Sequence, residues 1–239
     1  MCARRNTRQG GESTPVLTFL DPSAFMGWML AVAFLAEVEA LPALTGPASW
    51  KERLGQTLAS LRQDHGNAMV SPLTAAERFP ECAGVLVDLA AAYPIARFMA
   101  EAFFPHPVRA AAAWGEVAGP DASPELDPLD APAFEAAAEL LYRVRKENRL
   151  LLVQGESPGL DRLVNGLVLL LHREMEQWTE RQCEVVRLYR KEARQEAVAQ
   201  ELGVSQQAVS GSLVSAGWPA LLEAEAALSD VLSRTMRRA

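Results

Sequence analysis

Histidine and cysteine are scarce in this chain, with three of each among 239 residues. His65, His106 and His172 lie far apart, as do Cys2, Cys82 and Cys183, and none of them falls in a CxxC or similar ligand spacing. No zinc site or disulfide framework is therefore expected, and free thiols point to a cytoplasmic protein. No P-loop, GxGxxG turn or Ser-His-Asp set can be assembled, which removes the common nucleotide-binding and serine-hydrolase chemistries and leaves no cofactor to expect. A membrane span is missing as well. The stretch Phe25 to Ala36 is almost wholly apolar but only twelve residues long, and it runs on into Glu37 and Glu39, whereas a spanning helix needs about 20 residues. Arg4, Arg5 and Arg8 ahead of this stretch make a signal peptide the rival reading, but the mostly polar segment between Arg8 and Phe25 is long for one. Met26 and Met29 are alternative starts.

Positive charge is not in excess. The formal net charge is −7, which argues against a protein that coats nucleic acid indiscriminately. From Trp178 onward, eight basic residues meet eight acidic ones, so the whole acidic excess lies upstream, where 15 basic residues face 22 acidic ones. What is present is apolar material: a hydrophobic fraction of 49% supports a real core, and the length suits one large or two small domains.

Residues 1–24 are mostly polar and are expected to be disordered. A strand from Leu30 to Ala40 follows, ended by Pro42 and Gly46-Pro47. Trp50, Leu54, Leu58 and Leu61 recur at helical spacing and predict a helix to Asp64. Met69 to Thr74 and Ala83 to Leu86 read as two short strands around the turn Ala75 to Pro80. A helix then runs to Phe104, with Pro94 either kinking it or marking its true start. Val108 to Val117 is the clearest central strand, its Ala110 to Ala113 small enough for a helix to pack closely. An acidic, proline-rich loop from Gly119 to Pro132 leads to a helix, Ala133 to Arg145, a strand, Leu150 to Val153, and a strongly apolar helix, Leu160 to Glu176. Strands joined through helices plus one hairpin predict an α+β fold, a ferredoxin-like or palm-type sheet with packed helices over residues 25–156, with 157–177 as a connecting helix.

Residues 178–239 are expected to be all-helical. Thr179-x-x-Gln182 is a capping box, with Trp178 and Cys183 placed as a hydrophobic staple, and Val185, Val186, Leu188 and Tyr189 form the apolar face that follows. Ala199 is small where two helices would cross, Gly203 stops the first of them in a left-handed turn, and Val204 would plug the corner. Ser205 caps a second helix. Its Ala208, Val209 and Leu213 should point inward, which leaves Gln206, Gln207, Ser210 and Ser212 outward. This is the pattern of a helix-turn-helix, whose second helix enters a major groove, where glutamine can bridge adenine N6 and N7 and serine can pair with bases or phosphate. Arg187, Arg190, Lys191 and Arg194 group where phosphates would pass, and Arg234, Arg237 and Arg238 form a basic tail. After Gly217-Trp-Pro219, a last helix from Ala220 to Leu232 carries Leu221, Ala224, Leu228 and Val231, a stripe expected to cover its own domain or to pair with a second copy.

These residues resemble the SatD family of bacterial proteins, which join a palm-like N-terminal domain to a C-terminal, sigma-factor-like helix-turn-helix. The likeness is carried by Trp178-Thr-Glu-Arg-Gln182, by Gly203-Val-Ser-Gln-Gln-Ala-Val-Ser-Gly-Ser-Leu213 and by Ser215-Ala-Gly217. Phe104-Pro-His-Pro-Val-Arg109, Gly115-Glu-Val117 and Leu129-Asp-Ala-Pro-Ala-Phe134 add to it. Family members carry Gly-Asp at the end of the first strand and a Gly-Asp-Glu-Phe-Gln turn, similar to the metal-binding carboxylates of nucleotide cyclases. Here Ala36-Glu37 and Ala76-Glu-Arg-Phe-Pro80 stand in those places. Carboxylates persist at Glu37 and Glu77, but the glycines are gone and Arg78 replaces an acid, so two-metal chemistry is not expected.

The expected protein is a bacterial transcriptional regulator that is not an enzyme, binding double-stranded DNA through Ser205, Gln206, Gln207, Ser210 and Ser212, with Arg187, Arg190, Lys191 and Arg194 on the backbone. A homodimer would offset the lack of a cation on the recognition helix. The alternatives are a degenerate cyclase-like enzyme or nucleotide binder using Glu37 and Glu77, and a protein-interaction adaptor.

Overall fold

The computed structural model describes residues 28–39, 41–77, 79–119 and 127–235. The N-terminal extension, Arg78, residues 120–126 of the acidic loop, and Arg237 and Arg238 of the basic tail lie outside them. The protein is α+β. Its element order is β1 (Trp28–Val38), α1 (Leu41–His65), β2 (Met69–Ala75), β3 (Glu81–Leu86), α2 (Ala92–Phe103), β4 (Val108–Ala118), α3 (Pro132–Glu147), β5 (Leu151–Gln154), α4 (Pro158–Met175), α5 (Glu180–Glu192), α6 (Gln195–Leu202), α7 (Gln206–Ser215) and α8 (Trp218–Thr235).

The five strands form one mixed sheet in the order β2-β3-β1-β4-β5. The first four are antiparallel to their neighbours, and β5 lies parallel to β4 after the α3 crossover. Because side chains alternate along a strand, β1 and β4 each serve two cores. Val32, Phe34 and Ala36 with Ala110 and Ala112 face α1, α2 and α4, while Ala31 and Ala33 with Ala111 and Ala113 face α3. The alanine run is what lets α3 come near: a Cβ on Gly115 would stand 3.4 Å from that of Ala133.

One helix boundary departs from the sequence expectation, and one alternative left open there is decided. Helix α1 begins at Leu41, not near Trp50, and runs through Pro42 and Pro47; Pro42, in the first turn, gives up only an amide that has no helical partner, whereas Pro47, one turn further on, forgoes the bond to the residue 43 carbonyl. Pro94 marks the start of α2, because it sits in that helix's first turn. Apolar packing runs across the expected boundary at residues 157–177. One continuous core joins Trp50 and Leu54 of α1, Ile95 and Met99 of α2, and Val164 and Val168 of α4 to Val186, Val198, Val209 and Leu228 of α5 to α8. Helix α4 packs on β5, and α8 packs on α4 and on residues 89–91, so it covers the sheet half as well as its own α7. No helix of the described residues is long and apolar enough to cross a membrane.

Candidate nucleic-acid interface

Local chemistry builds α5 to α7. The Thr179 hydroxyl accepts from Gln182 N, and the Gln182 side chain accepts from Thr179 N at 2.8 Å, so both halves of the capping box are made. Trp178 and Cys183 are both buried in the core beneath it. Helix α6 ends at Gly203, φ 63°, whose left-handed conformation lets Val204 N donate to Ala199 O at 3.0 Å. Ser205 then caps α7 by accepting from Ala208 N at 3.2 Å. Helices α5, α6 and α7 pack on one another pairwise, with Ala199 buried where the chain turns.

The faces differ from expectation in three details. Val204 is exposed and does not fill the corner. Ala208 is exposed, and the buried residues of α7 are Val209 and Leu213. Ser210 and Ser212 are half-buried, while Ser205, Gln206 and Gln207 are exposed. At 100° per residue the outward stripe of α7 is therefore Gln207, Ala208, Gly211, Val214 and Ser215, all exposed, with Val214 at 70%. It is uncharged.

The four cations do not form one clamp. The Arg190 guanidinium is held inside the protein. Its Nε donates to Glu101 Oε1 at 2.9 Å, and its two terminal nitrogens donate to both Glu225 oxygens at 2.7 Å. Its Cζ lies over the Trp218 ring, 4.7 Å from the ring centroid. Arg190 thus ties α5 to α2 and α8 and is not available to phosphate, a correction that follows from the cost of leaving Glu101 and Glu225 buried without a counter-charge. Arg187 and Lys191, both exposed, line the cleft that α5 makes with Asp64 and His65 at the end of α1 and with Arg97 of α2. Arg194 stands exposed at the N-cap position of α6. Of the four, it alone sits at the start of the α6–α7 pair, beside backbone amides that the helix leaves open.

No family model, curated protein or solved structure matches the chain. Its chemistry has to be read from its own residues.

In the sheet half, the carboxylates of the first strand and the hairpin have different settings. Glu37 is 7% exposed and is clasped by Arg145 of α3, which also reaches Glu81 at 3.4 Å. Glu37 raises the Arg145 pKa by accepting its hydrogen bonds. Arg109 holds Glu39 at 3.1 Å, the Arg149 carbonyl at 3.2 Å and the Asn148 side-chain oxygen. Glu77 is exposed in the hairpin turn. Strand register sets Glu37 opposite Glu81 on one side and Arg109 on the other, so the residue that accompanies Glu37 is Glu81, and the cation between them is a guanidinium. Among the described residues no group of three or more His, Cys, Asp or Glu could hold a metal ion. Cys82 and Cys183 are free and buried, and burial pushes both thiols up to about 12, so neither ionises near neutrality.

Proposed function

We propose that the chain is a sequence-specific DNA-binding protein, a SatD-like transcriptional regulator of the cytoplasm, in which α6, the Gly203 turn and α7 form a helix-turn-helix. The observation that carries this reading is the arrangement around α7. Its inner side packs against α5 and α6 through Val209 and Leu213, while its capped N-terminus and one full face remain exposed. A helix presented in this way fits a major groove with its first turn leading, as recognition helices do. Gln206 and Gln207 then stand where base edges would lie, Val214 and Ala208 can meet thymine methyl groups, and Arg194 with the α6 amides can take a phosphate.

The sheet half supports a palm-like, ferredoxin-like assignment through its β1-α1-β2 and β3-α2-β4 units and the order β2-β3-β1-β4. In this reading it senses or assembles and does not catalyse, because Arg145 neutralises Glu37 where a metal-binding carboxylate would have to stay free. One helix without a cation binds weakly, so a homodimer presenting two half-sites is part of the proposal.

Selection of bound fragments from random duplexes tests it, comparing wild type with a variant carrying Gln206→Ala, Gln207→Ala and Arg194→Gln. Enrichment of a motif by wild type and its loss in the variant is the expected outcome. If wild type enriches nothing at low salt, the regulator reading fails. The neutral face and the exposure of Val214 favour a second reading, a protein-docking adaptor, and that failure would promote it.

A further inference from the structure

A cleft of about 690 Å³ opens between α5, the last turns of α1 and the second half of α2. Phe98 and Leu188, both half-buried, give it apolar surface. Arg97, Arg187, Arg190 and Lys191 on its lining meet only two carboxylates, Asp64 and Glu101, a formal excess of two positive charges. The chain as a whole carries −7, so this concave surface runs against the molecule's overall sign, and a cleft of one sign concentrates ions of the other.

Some of these cations are engaged within the protein, and others are open. Arg190 is fully held by Glu101 and Glu225. Arg97 shares the same two acids through two of its nitrogens: Nη1 donates to Glu101 Oε1 at 2.9 Å, and Nε lies 3.7 Å from Glu225 Oε1. Its Nη2 has no hydrogen-bond partner among the described residues, and solvent reaches it. Arg187 is exposed and makes no hydrogen bond or ion pair among them. Lys191, one turn further along α5, comes no nearer an acid than 4.0 Å, to Glu192. Like charges four residues apart on a helix repel, and an anion between them would turn that repulsion into binding. The His65 ring, at the end of α1, meets Phe98 edge-on with centroids 5.9 Å apart, and both its nitrogens are open and unpartnered among the described residues. Burial and then Arg97 lower its pKa, so at pH 7 it is neutral and has one N–H to donate. Asp64, exposed on the same stretch of α1, is the one carboxylate of the lining that no guanidinium holds.

We propose that this cleft binds a small aromatic phosphate monoester, its phosphate held by Arg97 Nη2, Arg187 and Lys191 and its ring against Phe98 and Leu188. A phosphate monoester carries a charge of about −1.5 to −2 at pH 7 and three strong acceptor oxygens. Those oxygens suit donors that arrive from two different helices, whereas a carboxylate is satisfied by one guanidinium from one side. The volume lies in the middle of the range for ligand sites, which run from about 300 to 1,000 Å³, and admits a fused ring together with its phosphate. Because α1, α2 and α5 all line the site, the ligand ties the sheet half to the first of the C-terminal helices and stabilises their packing. Arg187 and Lys191, expected from the sequence to meet a DNA backbone, thus serve a separate site. The proposal does not depend on DNA binding.

The test is a calorimetric titration of the full chain at pH 7.5, without DNA, using 1-naphthyl phosphate, with 1-naphthol (the ring without the phosphate) and inorganic phosphate (the anion without the ring) as comparators. Expected are saturable one-to-one binding of the ester and binding at least about tenfold weaker for each comparator. Arg187→Gln, at an exposed position, should weaken the ester at least about tenfold, the equivalent of roughly 1.4 kcal/mol, and Lys191→Gln should act in the same direction. Lys146→Gln removes the same charge from an exposed site on α3, across the sheet from α1 and α2, and should leave binding unchanged. The proposal is overturned if the ester does not saturate wild type, if either comparator binds as well, or if Arg187→Gln and Lys146→Gln behave alike. It is also overturned if Arg187→Gln weakens duplex binding and leaves the ester unaffected, since Arg187 would then be a DNA contact. None of these variants alters α6 or α7, so failure here leaves the fragment selection to stand or fall by itself.

Discussion

Replacing Arg190 by Met should destabilise the protein by about 3 kcal/mol, toward the lower end of the roughly 3–5 kcal/mol measured when one partner of a buried ion pair is removed. The structure sets that magnitude. Glu101 and Glu225 have side chains only 3% and 13% exposed, so neither is well hydrated once Arg190 is gone. Arg97 lies 2.9 Å from Glu101 and 3.7 Å from Glu225, and this remaining cation is the reason for choosing the lower figure. The Tyr93 hydroxyl also stays 3.1 Å from Glu225. Methionine retains much of the aliphatic stem that packs near Trp218 but gives up the cation over its ring, worth about 0.5–2 kcal/mol by itself. Urea unfolding followed by circular dichroism, with wild type and variant at pH 7, reads the difference directly. The double variant Arg190→Met, Glu225→Gln should recover at least about 1 kcal/mol of the loss, because it removes the orphaned charge as well as its partner. A loss below about 1 kcal/mol, the usual worth of an exposed pair, would refute the argument. So would strict additivity of Arg190→Met and Glu225→Gln.

Other outcomes follow from local geometry. Gly203→Ala should cost about 1–2 kcal/mol, because φ is 63° while the space around a Cβ is open; a melt shows it, and an unchanged midpoint would contradict the strained turn. Gly84→Ala should cost about 1–3 kcal/mol by overpacking, since its Cβ would lie 3.0 Å from Leu73 Cα and 3.1 Å from Leu73 N. Burial lowers the pKa of both His172 and His65 below the ordinary 6.5, so the unfolded chain takes up protons first. Their contribution is fully present above about pH 6.5 and is lost as pH falls through the folded values. His172→Gln should therefore flatten the decline of the urea midpoint between pH 7.5 and 5, and an unchanged slope would show that His172 is not a source of acid sensitivity.

What could be read from the sequence was what is decided locally. The Thr179 capping box, the Gly203 stop and the Ser205 cap each depend on residues within four positions, and all three are made as expected. The central strand was legible from its alanines, and the order of elements from their periodicity. The start of α1 was obscured because prolines at 42 and 47 read as breakers. Arg190 was misassigned for a different reason: its partners lie 89 and 35 residues away, and no local pattern reports them. A signal was nonetheless present. Cys183, Val186 and Arg190 share one helical face of α5, so a cation at the end of that buried series had to find an acid. Arg145, four residues beyond the buried Leu141, gave the same hint for Glu37. The cleft beside Arg187 could not be foreseen, since it is assembled from α1, α2 and α5 together.

The seat of α8 also governs how the molecule comes into being during synthesis. Leu221, Leu228 and Leu232 are buried against parts of the chain translated much earlier, among them residues 89–91 and α4. Until this helix has left the ribosome, Tyr93 and Glu225 cannot meet, and the apolar surface it covers faces the solvent. The nascent sheet half therefore waits with an open apolar flank, and this part of the core closes only when α8 arrives.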